Sequence, residues 1–303
     1  MRNETAKIQV THYSDPGCPF AYSAMPFITA LQWRYGDQLG WRHVLIGLTE
    51  EASQYEERGY TPLRMSKSQR FFRQFGMPFG RQPKPRMAAT ARACRVVVAS
   101  RLTAPEQEWP VFRALQFTQF TTPLPLDSDA ALRNALMRVP GLDTETVMGM
   151  LDSDEDTEAY EADRAAARTA AGGPTEFQGK SANTDGRVRY TAPSLKFSNG
   201  AQELEAGGFQ SFEAYDLCVA NLDTSLARRA PAEDAAAILP EFPEGLTTAE
   251  VAQIMTFDKY TPDLDKAEDA LITATGEGQA HRLTFGHDAL WVPSAPVALA
   301  QAA

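Results

Sequence analysis

Cysteine is scarce in this chain: Cys18, Cys94 and Cys218 are the only three among 303 residues. They lie far apart and are odd in number, which fits neither a secreted disulfide framework nor a zinc site, so reduced thiols are expected. No apolar run approaches the roughly 18 residues that a membrane-crossing helix needs, and membrane insertion is not expected. The opening residues, MRNETAKIQV, hold no apolar signal core and no small-residue cleavage site, which leads to the expectation of a cytoplasmic protein. Positive charge is in deficit too, with 29 Lys and Arg against 39 Asp and Glu, and a net charge of -10 disfavours nucleic-acid binding. The four histidines, His12, His43, His281 and His287, show no metal-ligand spacing. Gly-rich phosphate loops and Gly-x-Ser-x-Gly elbows are absent as well, so neither a metal nor a bound cofactor is expected.

The charge that is present is unevenly placed. Between Arg58 and Arg101 there are eleven Lys or Arg and no acid, whereas Asp143 to Asp163 holds nine acids and no base. Two readings follow. The basic stretch, which also carries Phe71, Phe72, Phe75 and Phe79, either walls a site for an anionic ligand or pairs with the acidic helices.

Residues 7–14 alternate in polarity and predict a strand, broken by Asp15-Pro16-Gly17. Phe20, Ala24, Phe27, Ile28, Leu31 and Tyr35 recur at helical spacing as far as Gly36, and residues 41–48 read as a second strand parallel to the first. From 66 to 171 the pattern is helical, with helices expected near 66–75, 84–101, 106–120, 128–138, 143–151 and 154–171. Strand character returns at 194–198, turns at Asn199-Gly200 into 202–205, and gives way to a helix over 211–223. The expected organisation is a first domain over 1–227 with a helical insertion at about 55–185, a linker over 228–245, and a small α+β unit over 246–303. The two helices and hairpin of that unit resemble a winged helix.

Cys18 stands where the first strand meets the first helix. A thiol at a helix start meets free backbone N–H groups and the positive end of the helix dipole, which favour thiolate, so a lowered pKa is expected. Pro19 suits the first helical position, where its missing N–H costs nothing. Asp15 reads as a turn or capping residue with a second role in proton transfer, and His12, three residues before it, as a side chain near the thiol. Cys94, on a helical face with Met87, Ala91 and Val98, reads as a core thiol, as does Cys218 beside Tyr215 and Val219.

Cys18-Pro19-Phe20-Ala21 after a strand, Pro26 within the following helix, and Tyr190-Thr191-Ala192-Pro193-Ser194 together resemble the thioredoxin superfamily. The helical insertion and Gly207-Gly208-Phe209-Gln210-Ser211-Phe212-Glu213 look more narrowly like its DsbA branch, with the resemblance covering about residues 7–225. That branch includes FrnE-like proteins, kappa-class glutathione transferases and 2-hydroxychromene-2-carboxylate isomerases. The resemblance implies a thioredoxin-like mixed sheet interrupted by helices, with Cys18 as the nucleophile and Pro193 as a cis-proline facing it. Pro19, Phe20, Ala192 and Pro193 would then shape the substrate site.

One departure narrows what the resemblance implies. Oxidoreductases of the branch carry Cys-x-x-Cys, and Ala21 occupies the second position here. Exchange within the motif is thereby excluded, leaving monothiol chemistry in which an external low-molecular-weight thiol resolves a mixed disulfide on Cys18. The expected partners are a small thiol or a protein disulfide, with a homodimer as a possible assembly. Glutathione-dependent transferase or isomerase chemistry and a noncatalytic binding role are the alternatives.

Overall fold

Strand β1 (Ile8–Ser14) begins with Ile8 and Val10 buried and Gln9 exposed, then becomes buried on both faces from His12 onward. The change follows from its place inside a four-stranded sheet of order β2-β1-β5-β6. In this computed structural model, which describes residues 5–184, 186–256 and 261–294, β2 (Leu39–Leu45) runs parallel to β1. Strands β5 (Ser194–Ser198) and β6 (Glu203–Ala206) are antiparallel to their neighbours. The sheet is thus the mixed, thioredoxin-like one that the motif order implies.

The connection between the parallel strands holds α1 (Pro19–Ser23) and α2 (Met25–Tyr35). One continuous helix is predicted there, and the structure divides it at Ala24. Pro26 has no amide to donate to the preceding turn, so the helical ladder is interrupted. Met25, Ile28, Leu31 and Tyr35 of α2 then share one core with Ile8, Val10 and Leu39.

The insertion comprises α3 (Ser53–Glu57), α4 (Pro62–Phe72), α5 (Ala91–Thr103), α6 (Glu108–Thr121), α7 (Asp129–Leu136), α8 (Thr144–Met150), α9 (Asp154–Ala167) and α10 (Pro174–Phe177). Side chains of Thr61, Ser128, Asp143 and Ser153 cap four of these starts by accepting backbone N–H bonds. The helix predicted over 84–101 begins only at Ala91. Pro83 and Pro85 disfavour helical backbone in the residues before them. Asp127 fixes the resulting loop, taking two bonds from Arg86 (2.6 and 2.8 Å) and one from the Ala89 amide (3.1 Å). A short pairing of β3 (Ser181–Ala182) with β4 (Arg189–Tyr190) carries the chain back to the sheet, and α11 (Phe212–Leu222) follows β6.

Pairing with the acidic helices accounts for the α5 part of the basic stretch. Arg95 meets Asp152 at 3.2 Å and Arg101 meets Asp163 at 2.8 Å, so the α5 cations do face the acidic helices. Lys67, Arg70 and Arg73, by contrast, form no ion pair among the described residues.

Beyond α11, α12 (Ala235–Ile238) lies within the span read as a linker. It leads to β7 (Leu246–Thr247), α13 (Thr248–Ile254), α14 (Leu264–Gly276), β8 (Ala280–Phe285) and β9 (Asp288–Pro293), whose strands form a small sheet of order β7-β9-β8. This unit packs against the first domain through buried charge: Glu250, fully buried, accepts from Arg113 of α6 (3.1 Å) and Thr29 of α2 (2.9 Å). Residues 295–303 of the expected unit lie outside the described residues.

His12 requires a correction. The strand pleat sends it to the opposite face from Tyr13, which shares a cluster with Cys18. Its ring is fully buried among His43, Trp109 and Phe112, with centroids 5.5, 6.2 and 6.1 Å away, and neither nitrogen has a hydrogen-bond partner. It is a packing residue.

Burial, and then the neighbouring His43, hold the His12 pKa well below 6.5. Below about pH 6.5 the unfolded chain takes up a proton there that the folded chain refuses, so stability falls with falling pH. Glu108 works in the same direction. Against the effect of burial, hydrogen bonds and charge from His43 and Arg101 hold it at about 2, and its contribution is lost between about pH 4.5 and 2. The unfolding free energy from urea titrations is expected to decline from about pH 7 to pH 5, by up to about 1.4 kcal/mol per pH unit through His12. His12→Leu is expected to flatten that decline, and an undiminished slope in the variant would show that His12 is not its source.

A candidate thiol site at the end of the first strand

The turn after β1 is tied by one carboxylate. Asp15 is fully buried, and its side chain accepts from the amides of Gly17 (2.7 Å) and Leu48 (2.9 Å) and from the Thr90 hydroxyl (2.9 Å). The Cys94 thiol also donates to it, at 3.4 Å. These bonds join the end of β1, the chain after β2 and the start of α5. Gly17 sits so close to α5 that a Cβ on it would lie 2.4 Å from Thr90 Cγ2. No larger residue fits there without moving the helix.

The knot sets Cys18 just before α1, with its amide donating to the Asp15 carbonyl at 3.1 Å. Its Sγ donates to the Ala192 carbonyl at 3.1 Å, and the bond from Ala192 to Pro193 is cis. Cys18, Pro19, Ala192 and Pro193 therefore come together across 174 residues of sequence separation. Tyr13 and Tyr190, stacked with centroids 4.0 Å apart, belong to the same cluster as Cys18. Phe20 turns outward, 41% exposed, and rests on Phe72 and Phe209.

The expected pKa of Cys18 is reversed. At 7% exposure the desolvation of an anion dominates, and burial pushes the thiol up to about 12. The Ala21 and Phe20 amides and Arg189 favour the anion, while the Asp15 charge opposes it. Helix α1 spans only five residues, too short for a dipole that would outweigh burial. At rest Cys18 is thus a protonated donor to Ala192. Burial likewise raises the Asp15, Cys94 and Cys218 pKa values.

Beside Gly17 and Pro19 a cleft opens into the insertion, lined by Tyr55, Met65, Phe72, Lys84, Met87 and Gln119 among others. Lys84 donates to the carbonyls of Thr122 and Leu124, and burial lowers its pKa to about 8. Tyr55, Thr90 and Arg189 join the surroundings of Cys18 without any sequence signal, because each reaches it from a distant element. Among the described residues, no group of three His, Cys, Asp or Glu could hold a metal, and no helix is long and apolar enough to cross a membrane.

Comparison with known proteins places this arrangement. The DSBA-like thioredoxin domain family matches residues 9–205. A structure from Nitrosomonas europaea, described as a candidate protein disulfide isomerase, is similar with a TM-score of 0.54 and 18% identity, over 71% of this chain and 97% of that one. A probable DsbA oxidoreductase from Streptomyces coelicolor gives 0.55 and 14%, over 75% and 93% of the two chains. The cytosolic disulfide reductase DsbM from Pseudomonas aeruginosa gives 0.47 and 14%, over 71% and 97%. No curated protein matches the chain. At these identities the likeness is one of fold.

Asp15→Ala removes an acceptor from four donors at once, three of them buried, and a loss of about 2–4 kcal/mol in urea unfolding is expected. A loss below about 0.5 kcal/mol, within the range of ordinary surface substitutions, would contradict the role of the carboxylate as the tie that sets the turn.

Proposed function

The chain belongs to the DSBA-like thioredoxin domain family, and from that premise we propose that it is a thiol-disulfide oxidoreductase working through one cysteine, Cys18. The observation that carries the reading is the 3.1 Å contact between Cys18 Sγ and the carbonyl before the cis-proline. An extended substrate can pair its backbone N–H with that same carbonyl. In doing so it takes the acceptor away from the thiol and exposes the sulfur.

The chemistry then runs in two exchanges. Cys18 loses its proton to solvent, and the thiolate attacks one sulfur of a substrate disulfide. A Cys18–S–S–R mixed disulfide forms as the second substrate sulfur leaves and is protonated. With Ala21 at the second motif position, no thiol in the motif can attack this intermediate. A small external thiol does so instead: its thiolate bonds to the R sulfur, the Cys18 sulfur leaves, and the proton lost by the small thiol returns to Cys18. The net reaction exchanges one disulfide for another and leaves Cys18 reduced.

The cleft beside Gly17 and Pro19 supports a small anionic thiol as the second reactant. Lys84 lines it, and α4 contributes Met65, Ser66, Ser68, Gln69 and Phe72 to its wall. A reducing compartment, the cytoplasm, supplies such thiols in excess and suits a chain with three free cysteines.

Incubation with oxidised glutathione, followed by peptide mass mapping, is expected to give one adduct, on Cys18, that free glutathione releases. Cys18→Ser is expected to give none. An adduct confined to Cys218, or no adduct on Cys18 over hours, would overturn the reading.

A further inference from the structure

The second exchange needs something to favour the thiolate of the incoming small thiol, a task Ala21 cannot perform. We propose that the Tyr55 hydroxyl does this, donating a hydrogen bond to the sulfur of the external thiol as it attacks the Cys18 mixed disulfide. The inference rests on the single-cysteine reading above and assigns a residue to its second step.

Placement is the first argument. Tyr55 lines the same cleft as Gly17 and Pro19, the two residues that flank Cys18. Four other polar groups of that cleft are committed. Arg86 is held by Asp127, Lys84 by two carbonyls, Ser68 by the Met65 carbonyl, and Thr122 by the Thr118 carbonyl. The Tyr55 hydroxyl, by contrast, lies in the field of both Asp15 and Cys18.

The second argument is that the knot which positions Cys18 also positions Tyr55. The phenol lies beside the Thr49 hydroxyl. Thr49 Oγ1 accepts from the Thr90 amide at 3.2 Å, and Thr90 Oγ1 donates to Asp15 at 2.9 Å. At the other end, the Tyr60 amide donates to the Tyr55 carbonyl at 3.0 Å, and the Tyr60 ring stands edge-on to the Tyr55 ring at 5.7 Å. The Tyr55 ring is thus held against Tyr60 within the cleft that Gly17 and Pro19 also line.

Protonation state is the third. Burial first, and then the Asp15 charge, push the Tyr55 pKa well above its ordinary value, so the phenol remains a hydrogen-bond donor wherever the thiol reacts. A donor aimed at sulfur stabilises thiolate over thiol and shifts that thiol toward its reactive form. The atoms balance as before, since Tyr55 keeps its proton. The small thiol gives up its own, and Cys18 recovers one as it leaves.

The test follows the exchange in both directions in wild-type protein and in Tyr55→Phe. Formation of the Cys18 mixed disulfide with oxidised glutathione is followed first, and its release by reduced glutathione is then followed across pH. Because release by reduced glutathione is the reverse of formation from oxidised glutathione, both are expected to slow in the variant by the same factor, about tenfold to a hundredfold, and the pH profile of release moves upward by about one unit. Release at the wild-type rate with an unmoved profile overturns the inference and leaves the single-cysteine reading standing. Both rates slowed with an unmoved pH profile also overturn it, because Tyr55 would then only shape the site. If wild-type protein forms no mixed disulfide at Cys18, the functional reading fails and this inference fails with it.

Discussion

The site depends on one buried carboxylate. Asp15 lies where β1 ends, and the donors it satisfies come from its own turn, from the chain following β2 and from the first turns of α5. A buried carboxylate is costly unless its lone pairs are occupied, and here they are occupied by groups that must converge for the site to exist. The position of Cys18, the close approach of Gly17 to Thr90 and the orientation of Thr49 beside Tyr55 all follow from that convergence. The helical insertion is therefore part of the thiol site, since α5 closes the knot from behind and α3 and α4 wall the cleft in front.

The same burial that locks the geometry suppresses the reactivity of the sulfur. A thiol at a helix start is ordinarily read as activated, and that reading assumes an exposed sulfur on a helix of ordinary length. Here the helix is five residues long and the sulfur is nearly closed off, so desolvation wins over the backbone amides. The Cys18 proton is held against the Ala192 carbonyl, the group that an extended substrate would claim. In the proposed exchange, binding and activation share that one contact. On the proposed function, such a thiol reacts when a partner occupies the cis-proline loop.

Much of the fold was legible in the sequence, for identifiable reasons. The strand before Cys18, the parallel partner over residues 41–48, the hairpin at Asn199-Gly200 and the capped helices of the insertion each carry local patterns that need no tertiary information. The proline pair at 83 and 85 and Pro26 were the places where local chemistry cut helices shorter than periodicity suggested. In the site, Cys18, Pro19, Ala192 and Pro193 were readable because their motifs are short and ordered. His12 was misplaced because proximity in sequence says nothing about which face of a strand a side chain takes. Tyr55, Thr90 and Arg189 were not readable at all, since each comes from a distant element that only folding brings near Cys18 or Asp15. The pKa of Cys18 was misjudged for a related reason: burial is a property of the whole fold.

The central claim is that Cys18 is a buried, protonated thiol until a substrate takes the Ala192 carbonyl. The most direct measurement is the ultraviolet thiolate absorbance of free protein titrated with base, with Cys18→Ser as the reference. The account expects no thiolate at Cys18 below about pH 9, above the ordinary thiol value of about 8.5. A Cys18 transition with a midpoint below about pH 7 would contradict it and restore a sulfur activated by its helix.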